Sequence, residues 1–268
     1  MREALAVVLG SAFSQRPPAG LRLDAVAVDT RFGSQRLHRV RDADRPAYVV
    51  FRHGLPHTLL PHQVDYRALV AALDQVDCRA LLVTSSVGVL DARVPLHRPL
   101  LCRDLLTLDN RLPDGSACSM FVPPGPHQAH LVLREGLFSR ALGEQVRRLA
   151  DAVGAPIAAE VVFGYAAGPR TKTPAENAMW ARLGAQVNSM SVGLEVVLAN
   201  ELGIPCAGLV VGHKHSLPDG GDPGGAEAVA RSLEDSRGAI ERIAVAFLAQ
   251  GETVAFANQL FRFEEPRS

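Results

Sequence analysis

Five apolar runs of this 268-residue chain each end in residues able to do chemistry. Gly10-Ser11 follows Ala4–Leu9, and Arg52-His53-Gly54 follows Ala47–Phe51. Thr84-Ser85-Ser86-Val87-Gly88 follows Ala80–Val83, Met190-Ser191 follows Gln186–Ser189, and His213 closes the run from Cys206 to Val211. Any one of these reads as a simple turn. Together they mark a site, because active sites of α/β folds gather at the carboxyl ends of strands. Arg52 carries a planar donor fork suited to phosphate-type oxygens. Ser11, Ser85, Ser86 and Ser191 add hydroxyl donors, and Ser11 sits in a small-residue loop whose backbone N–H groups can join them. His213 and His215 bring groups that titrate near working pH. His53, His57 and His62 are close in sequence, but a Gly and a Pro lie among them, which argues against a metal.

The elements that must position these residues alternate in kind. Tyr66–Asp74 has helical spacing, with Leu69, Val70 and Leu73 on one face. Leu142–Val153, Val192–Leu202 and the long amphipathic Ala226–Ala249 read as further helices, and Ile157–Phe163 as a further strand. Gly168-Pro169 turns the chain before a capped helix. Thr173 and Glu176 have capping-box spacing there, and Pro174 falls at the first helical position. Pro123–Pro126 and Pro218–Gly225 read as loops too short to link domains. The alternation predicts one α/β domain over residues 1–268, with a central mixed sheet flanked by helices.

Composition excludes several functions. Hydrophobic residues make up 47%, enough for a sizeable core, and 28 basic side chains balance 28 acidic ones. A net charge of zero leaves no electrostatic footprint for nucleic acid or an anionic membrane. Neither a signal peptide nor an apolar run of membrane-spanning length is visible. Cys78, Cys102, Cys118 and Cys206 form no CxxC pair and read as reduced packing cysteines of a cytoplasmic protein.

The segment Gly168–Trp180, with Leu183-Gly184-Ala185 and Asn188-Ser189-Met190-Ser191 after it, resembles the signature of the trimeric purine nucleoside phosphorylases and methylthioadenosine phosphorylases. Other stretches resemble that family in the same order: Val7–Phe13, Val28–Ser34, Arg52–His57, Pro61–Ala68, Val83–Leu90 and Met190–Glu201. The Arg52–His57 and Pro61–Ala68 stretches are most similar to the methylthioadenosine branch. The resemblance implies phosphate-dependent cleavage of an N-glycosidic bond, with nucleoside and inorganic phosphate as substrates and no cofactor or metal. It assigns phosphate to Ser11, Arg52, His53, Ser85, Ser86 and Ser191, with Arg52 the chief clamp and a catalytic group. Met190, Val87, Gly88, Thr171, Lys172, His213 and His215 fall to ribose and base, with His213 catalytic. It also implies a homotrimer, in which Ser119-Met120-Phe121 helps close a neighbour's sugar pocket.

The chain departs from that pattern at the base. The purine enzymes place Asn or Asp where this chain has His213, followed by Lys214 and His215. They carry Phe and then Glu or Ser where this chain has Thr171-Lys172, and a second Gly where it has Ala12. An ammonium suits a carbonyl edge, as in uracil or a 6-oxopurine, and suits adenine's amino edge poorly. His213 or His215 could donate to the departing base. Three other readings remain open: a conventional methylthioadenosine phosphorylase, a nucleoside hydrolase, and a nucleoside-binding protein without turnover.

Overall fold

In the computed structural model, residues 3–13, 15–125, 128–217 and 226–262 are described. Strand β1 (Ala4–Leu9) is apolar throughout because the sheet around it is covered on both faces. Its alternate side chains separate accordingly: Leu5, Val7 and Leu9 enter one core, and Ala6 and Val8 the other. β2 (Leu23–Thr30) and β3 (Gly33–Val40) form an antiparallel hairpin, and β4 (Ala47–Phe51) pairs parallel to β1. β5 (Cys78–Val89) runs parallel to β1 on the other side.

The remaining strands are β6 (Pro99–Thr107), β7 (Ala129–Val132), β8 (Ala159–Tyr165), β9 (Val187–Ser189), β10 (Cys206–His215) and β11 (Gln259–Arg262). The large sheet has nine strands in the order β10-β6-β8-β9-β5-β1-β4-β3-β2, and β10 also pairs with β5. Strands β5, β10, β6, β8 and β9 therefore close on themselves, and β1, β4, β3 and β2 extend from the closed part as a wing. β7 and β11 make a separate small ribbon.

Helices cover both faces. α1 (Tyr66–Gln75) and α4 (Gly193–Glu201) pack on one, through Leu69, Val70, Leu73, Leu194 and Leu198. α2 (Arg140–Ala152) and α5 (Ala226–Gln250) pack on the other, through Leu142, Val146, Ile240, Ile243 and Phe247. α3 (Pro174–Arg182) seats Trp180 in a third small cluster with Leu90, Ala166 and Ala185. Its capping box forms as the spacing predicts: the Glu176 amide donates to Thr173 Oγ1 at 3.2 Å, and the Thr173 amide to Glu176 at 2.7 Å.

Two strands run longer than the sequence reading gave. Ser85–Gly88 lie inside β5 rather than beyond its end, and His213 and His215 lie inside β10. Those residues are polar or small, so apolar periodicity ends before the backbone pairing does. The loop expected at Pro123–Pro126 is described up to Gly125, and the one at Pro218–Gly225 falls outside the described residues.

Candidate active site

The site lies where β5 changes partners. One edge of β5 pairs with β10 from Leu81 to Val89. The opposite edge pairs with β1 up to Val83 and with β9 only from Gly88. Between these pairings β1 has ended and β9 has not yet joined, so that edge of the Thr84–Val87 stretch faces a gap. A cavity of about 290 Å³ fills this region. Ser11, His53, Ser85, Ser86, Gly88, Thr171, Lys172, Met190, Ser191 and His213 all line it, as the sequence reading expects. Three expected residues do not: Arg52, Val87 and His215 are absent from its walls. Val87 points into the core instead, with no exposed surface. His215 lies beyond the cavity on β10, paired with Val89.

Arg52 is the principal correction. Its side chain is fully buried, and Nε and a terminal nitrogen grip both oxygens of Glu195, the second at 2.9 Å. The other terminal nitrogen donates to the Thr84 carbonyl at 2.9 Å. A guanidinium removed from water needs a carboxylate, and Glu195 in the first turn of α4 supplies it. The sequence stretch Met190–Glu201 contains this partner, but only the tertiary structure brings it to Arg52. The fork thus ties the end of β4 to α4 and β5, behind Gly10 rather than in the cavity.

The polar wall near Ser191 is a hydroxyl cluster. Ser85 Oγ lies 3.0 Å from Ser191 Oγ and 3.2 Å from Ser189 Oγ, and it also donates to the Ser86 carbonyl at 3.1 Å. Ser86 Oγ is buried and, among the described residues, has no hydrogen-bond partner. His53 joins this wall as a neutral ring. Burial, the Arg52 charge and His57 lower its pKa to about 3. Its Nδ1 faces the Leu59 carbonyl at 3.0 Å, which can only accept, so Nδ1 carries the proton and Nε2 a lone pair. His57 stacks on it with ring centroids 4.6 Å apart. The backbone just after Ser191 is strained: Val192, a β-branched residue, has φ 73°. Glu195 holds it there by accepting from the Val192 amide at 3.1 Å.

The second wall is cationic and amide-rich. β10 carries a bulge between Gly212 and Lys214, where two residues of β10 advance against one of β5. Alternation would send His213 and Lys214 to opposite faces, whereas the bulge lets both line the cavity. Lys172 enters from the loop before α3. Burial and the neighbouring Lys214 lower its pKa to about 8. His213 is lowered to about 4 by burial, Lys214 and Lys172, against a backbone hydrogen bond with Val87. The expectation that His213 titrates near working pH is therefore not met, since it is a neutral imidazole there. Asn177, Asn188, Ser189, Lys214 and Ser216 also line the cavity. The first four lie in or beside the motifs read from the sequence but carry no site role in that reading, and Ser216 lies outside it. Polar residues scattered over α3, β9, β10 and the residue after it carry no periodic signal that would assign them to one cavity.

The Ser119–Phe121 segment is held within its own chain. Glu201 accepts from Ser119 Oγ at 3.0 Å and from the Met120 amide at 2.6 Å. Met120 is buried in the main core, so it is not free to reach a neighbour's pocket. Among the described residues no group of three or more His, Cys, Asp or Glu is arranged to hold a metal.

Hydroxyls, two neutral histidines and two lysines thus surround one cavity at the strand ends of a doubly covered α/β sheet. The chain belongs to the phosphorylase superfamily, whose family model matches residues 4–249, and it is an enzyme of the nucleoside phosphorylase kind. A probable S-methyl-5′-thioinosine phosphorylase of Methanopyrus kandleri is 31% identical over 201 residues, covering 74% of this chain and 73% of the relative. A probable 6-oxopurine nucleoside phosphorylase of Moorella thermoacetica is 31% identical, covering 59% of each chain. The S-methyl-5′-thioadenosine phosphorylase of Danio rerio is 28% identical, covering 65% and 61%. The fold matches the solved methylthioadenosine phosphorylase of Schistosoma mansoni in complex with adenine, with a TM-score of 0.77 at 20% identity over 92% of this chain and 91% of that one.

Proposed function

We propose that this chain cleaves the N-glycosidic bond of a 6-oxopurine ribonucleoside by phosphorolysis, yielding free base and ribose 1-phosphate. The observation that carries the reading is the pair Lys172 and Lys214 beside neutral His213 at one wall of the cavity. Such a wall offers donors and positive charge, which a carbonyl oxygen and a departing base both need. The names of two relatives, a thioinosine phosphorylase and a 6-oxopurine nucleoside phosphorylase, agree with it.

In the proposed reaction phosphate occupies the hydroxyl wall of Ser11, Ser85, Ser86 and Ser191. The hydroxyl protons of Ser189 and Ser191 turn from Ser85 toward the anion, and His53 Nε2 accepts a hydrogen bond from the P–OH of monohydrogen phosphate, which keeps its proton. Met190 packs on the sugar. The bond from C1′ to the base nitrogen breaks with its electron pair going to the base, a phosphate oxygen bonds C1′, and Lys172 donates toward the negative charge on the base. Arg52 acts through Glu195 and Thr84 as a positioning residue for this wall.

A second cavity of about 200 Å³ shares Pro61 and Met190 with the first; Leu112, Pro113, Tyr165 and Ala167 line it, together with His62, Asp109 and Arg111. It suits an apolar 5′ substituent such as a methylthio group. We further propose a homotrimer, on the family resemblance alone. The competing reading, a conventional methylthioadenosine phosphorylase, is favoured by the Danio rerio relative.

Uridine, inosine, adenosine and their 5′-methylthio forms, each incubated with and without phosphate, test the reaction by release of base. Release should require phosphate and be fastest from inosine-type substrates. Release independent of phosphate, or fastest from adenosine-type substrates, would overturn the proposal.

A further inference from the structure

We infer that Asn188 reads the base by accepting a hydrogen bond from a ring N–H adjacent to a carbonyl, an inference that rests on the 6-oxopurine reading above. Asn188 is 1% exposed on β9, lines the cavity, and pairs across the sheet with Gly88. Its Nδ2 donates to Asn177 Oδ1 at 3.0 Å, and Asn177 Nδ2 donates to the Ser216 carbonyl at 2.8 Å. Asn188 Oδ1 is buried with no hydrogen-bond partner among the described residues.

The chemistry of this relay fixes which end of each amide points where. A backbone carbonyl only accepts, so Asn177 must turn its NH₂ to Ser216. Its oxygen then faces Asn188, which must answer with its own NH₂. Asn188 is left presenting oxygen, and cannot flip to present a donor without setting two oxygens against each other. Ser216, just past the end of β10, is itself held by its amide donating to the Val89 carbonyl of β5 at 2.8 Å, so the relay starts from a position tied to the sheet. Gly88 leaves room at its head: a side-chain carbon there would collide with Ser216 Oγ and lie 3.2 Å from Asn188 Oδ1.

A buried acceptor with no donor is destabilising, and a ligand that brings a donor relieves it. The cavity therefore offers a locked acceptor at Asn188 and donors at Lys172 and Lys214. The ring N–H and carbonyl of a 6-oxopurine are adjacent and match this pair. Adenine could match only with the roles exchanged, its amino group on Asn188 and its bare ring nitrogen on a lysine. Methylation of the ring N–H removes the donor while leaving the carbonyl.

The test compares kcat/KM for phosphorolysis of inosine and 1-methylinosine. The wild-type enzyme should prefer inosine by about tenfold to a hundredfold, the range expected when a buried acceptor is left unpaired. Asn188→Leu should lose that factor on inosine and bring the two substrates level. Asn177→Leu, which leaves Asn188 in place but frees its amide to turn, should also narrow the ratio. It serves as the variant if Asn188→Leu does not fold. Equal use of both substrates by the wild type, or an unchanged ratio in a folded variant, would overturn the assignment of Asn188 and leave phosphorolysis of 6-oxopurine nucleosides standing. A wild-type preference for adenosine over inosine would overturn both.

Discussion

Lys172 shows how one side chain is tuned by where it is placed. In water an ammonium stays charged far above neutral pH, but burial and Lys214 bring Lys172 down to about 8. The shift is downward, so the cation is present below pH 8 and lost above it. Because kcat/KM reports the free enzyme, it should fall for an inosine-type substrate as pH rises through about 8. Lys172→Ser should lower kcat/KM by about a hundredfold at neutral pH and abolish that alkaline fall. A wild-type profile flat to pH 9, or a variant with the same alkaline limb, would remove Lys172 from the reaction. His213, lowered to about 4, contributes no titration in this window.

Among the elements, the buried pair of Arg52 and Glu195 fastens β4 to α4 at the back of the cavity. Removing one partner leaves a buried charge, which costs about 3–5 kcal/mol. Arg52→Ala should therefore lower the melting temperature by roughly 6–20 °C. The double variant Arg52→Met with Glu195→Leu should recover most of that loss, because apolar side chains of similar volume can replace a buried pair. Calorimetry of both variants checks this. A single variant that melts within 2 °C of wild type, or a double variant no better than the single, would show that the pair does not fasten these elements.

At the scale of the molecule, the five-strand closure and its four-strand wing give the cavity rigid walls on β5, β9 and β10 but leave its mouth at loops, among them Leu60, which is half exposed. The proposed homotrimer is the arrangement in which a neighbouring copy could cover such a mouth. Light scattering at micromolar concentration should give about three chain masses, and a single chain mass would count against the proposal. Met120 would not be part of that contact, because it is buried in its own chain.

What the sequence determined by itself was local. β1, β4 and the capped start of α3 are written in contiguous residues, as apolar runs and as a Thr-Pro-x-Glu cap, and they form with the predicted bounds. The order of short motifs was likewise enough for the family and the α/β class. Ten residues of the cavity wall, including Ser85, Ser191 and Lys172, were legible because they follow or interrupt those motifs. The tertiary structure decided the rest. Arg52 meets Glu195 across 143 positions, and only their common burial makes the pair obligatory. The β10 bulge depends on register against β5, which no single strand encodes. His213 is neutral because of burial in the folded chain together with Lys214 and Lys172, and the amide of Asn188 is oriented through Asn177 by the carbonyl of Ser216. Desolvation and long-range pairing set these properties, and neither leaves a periodic trace in the chain.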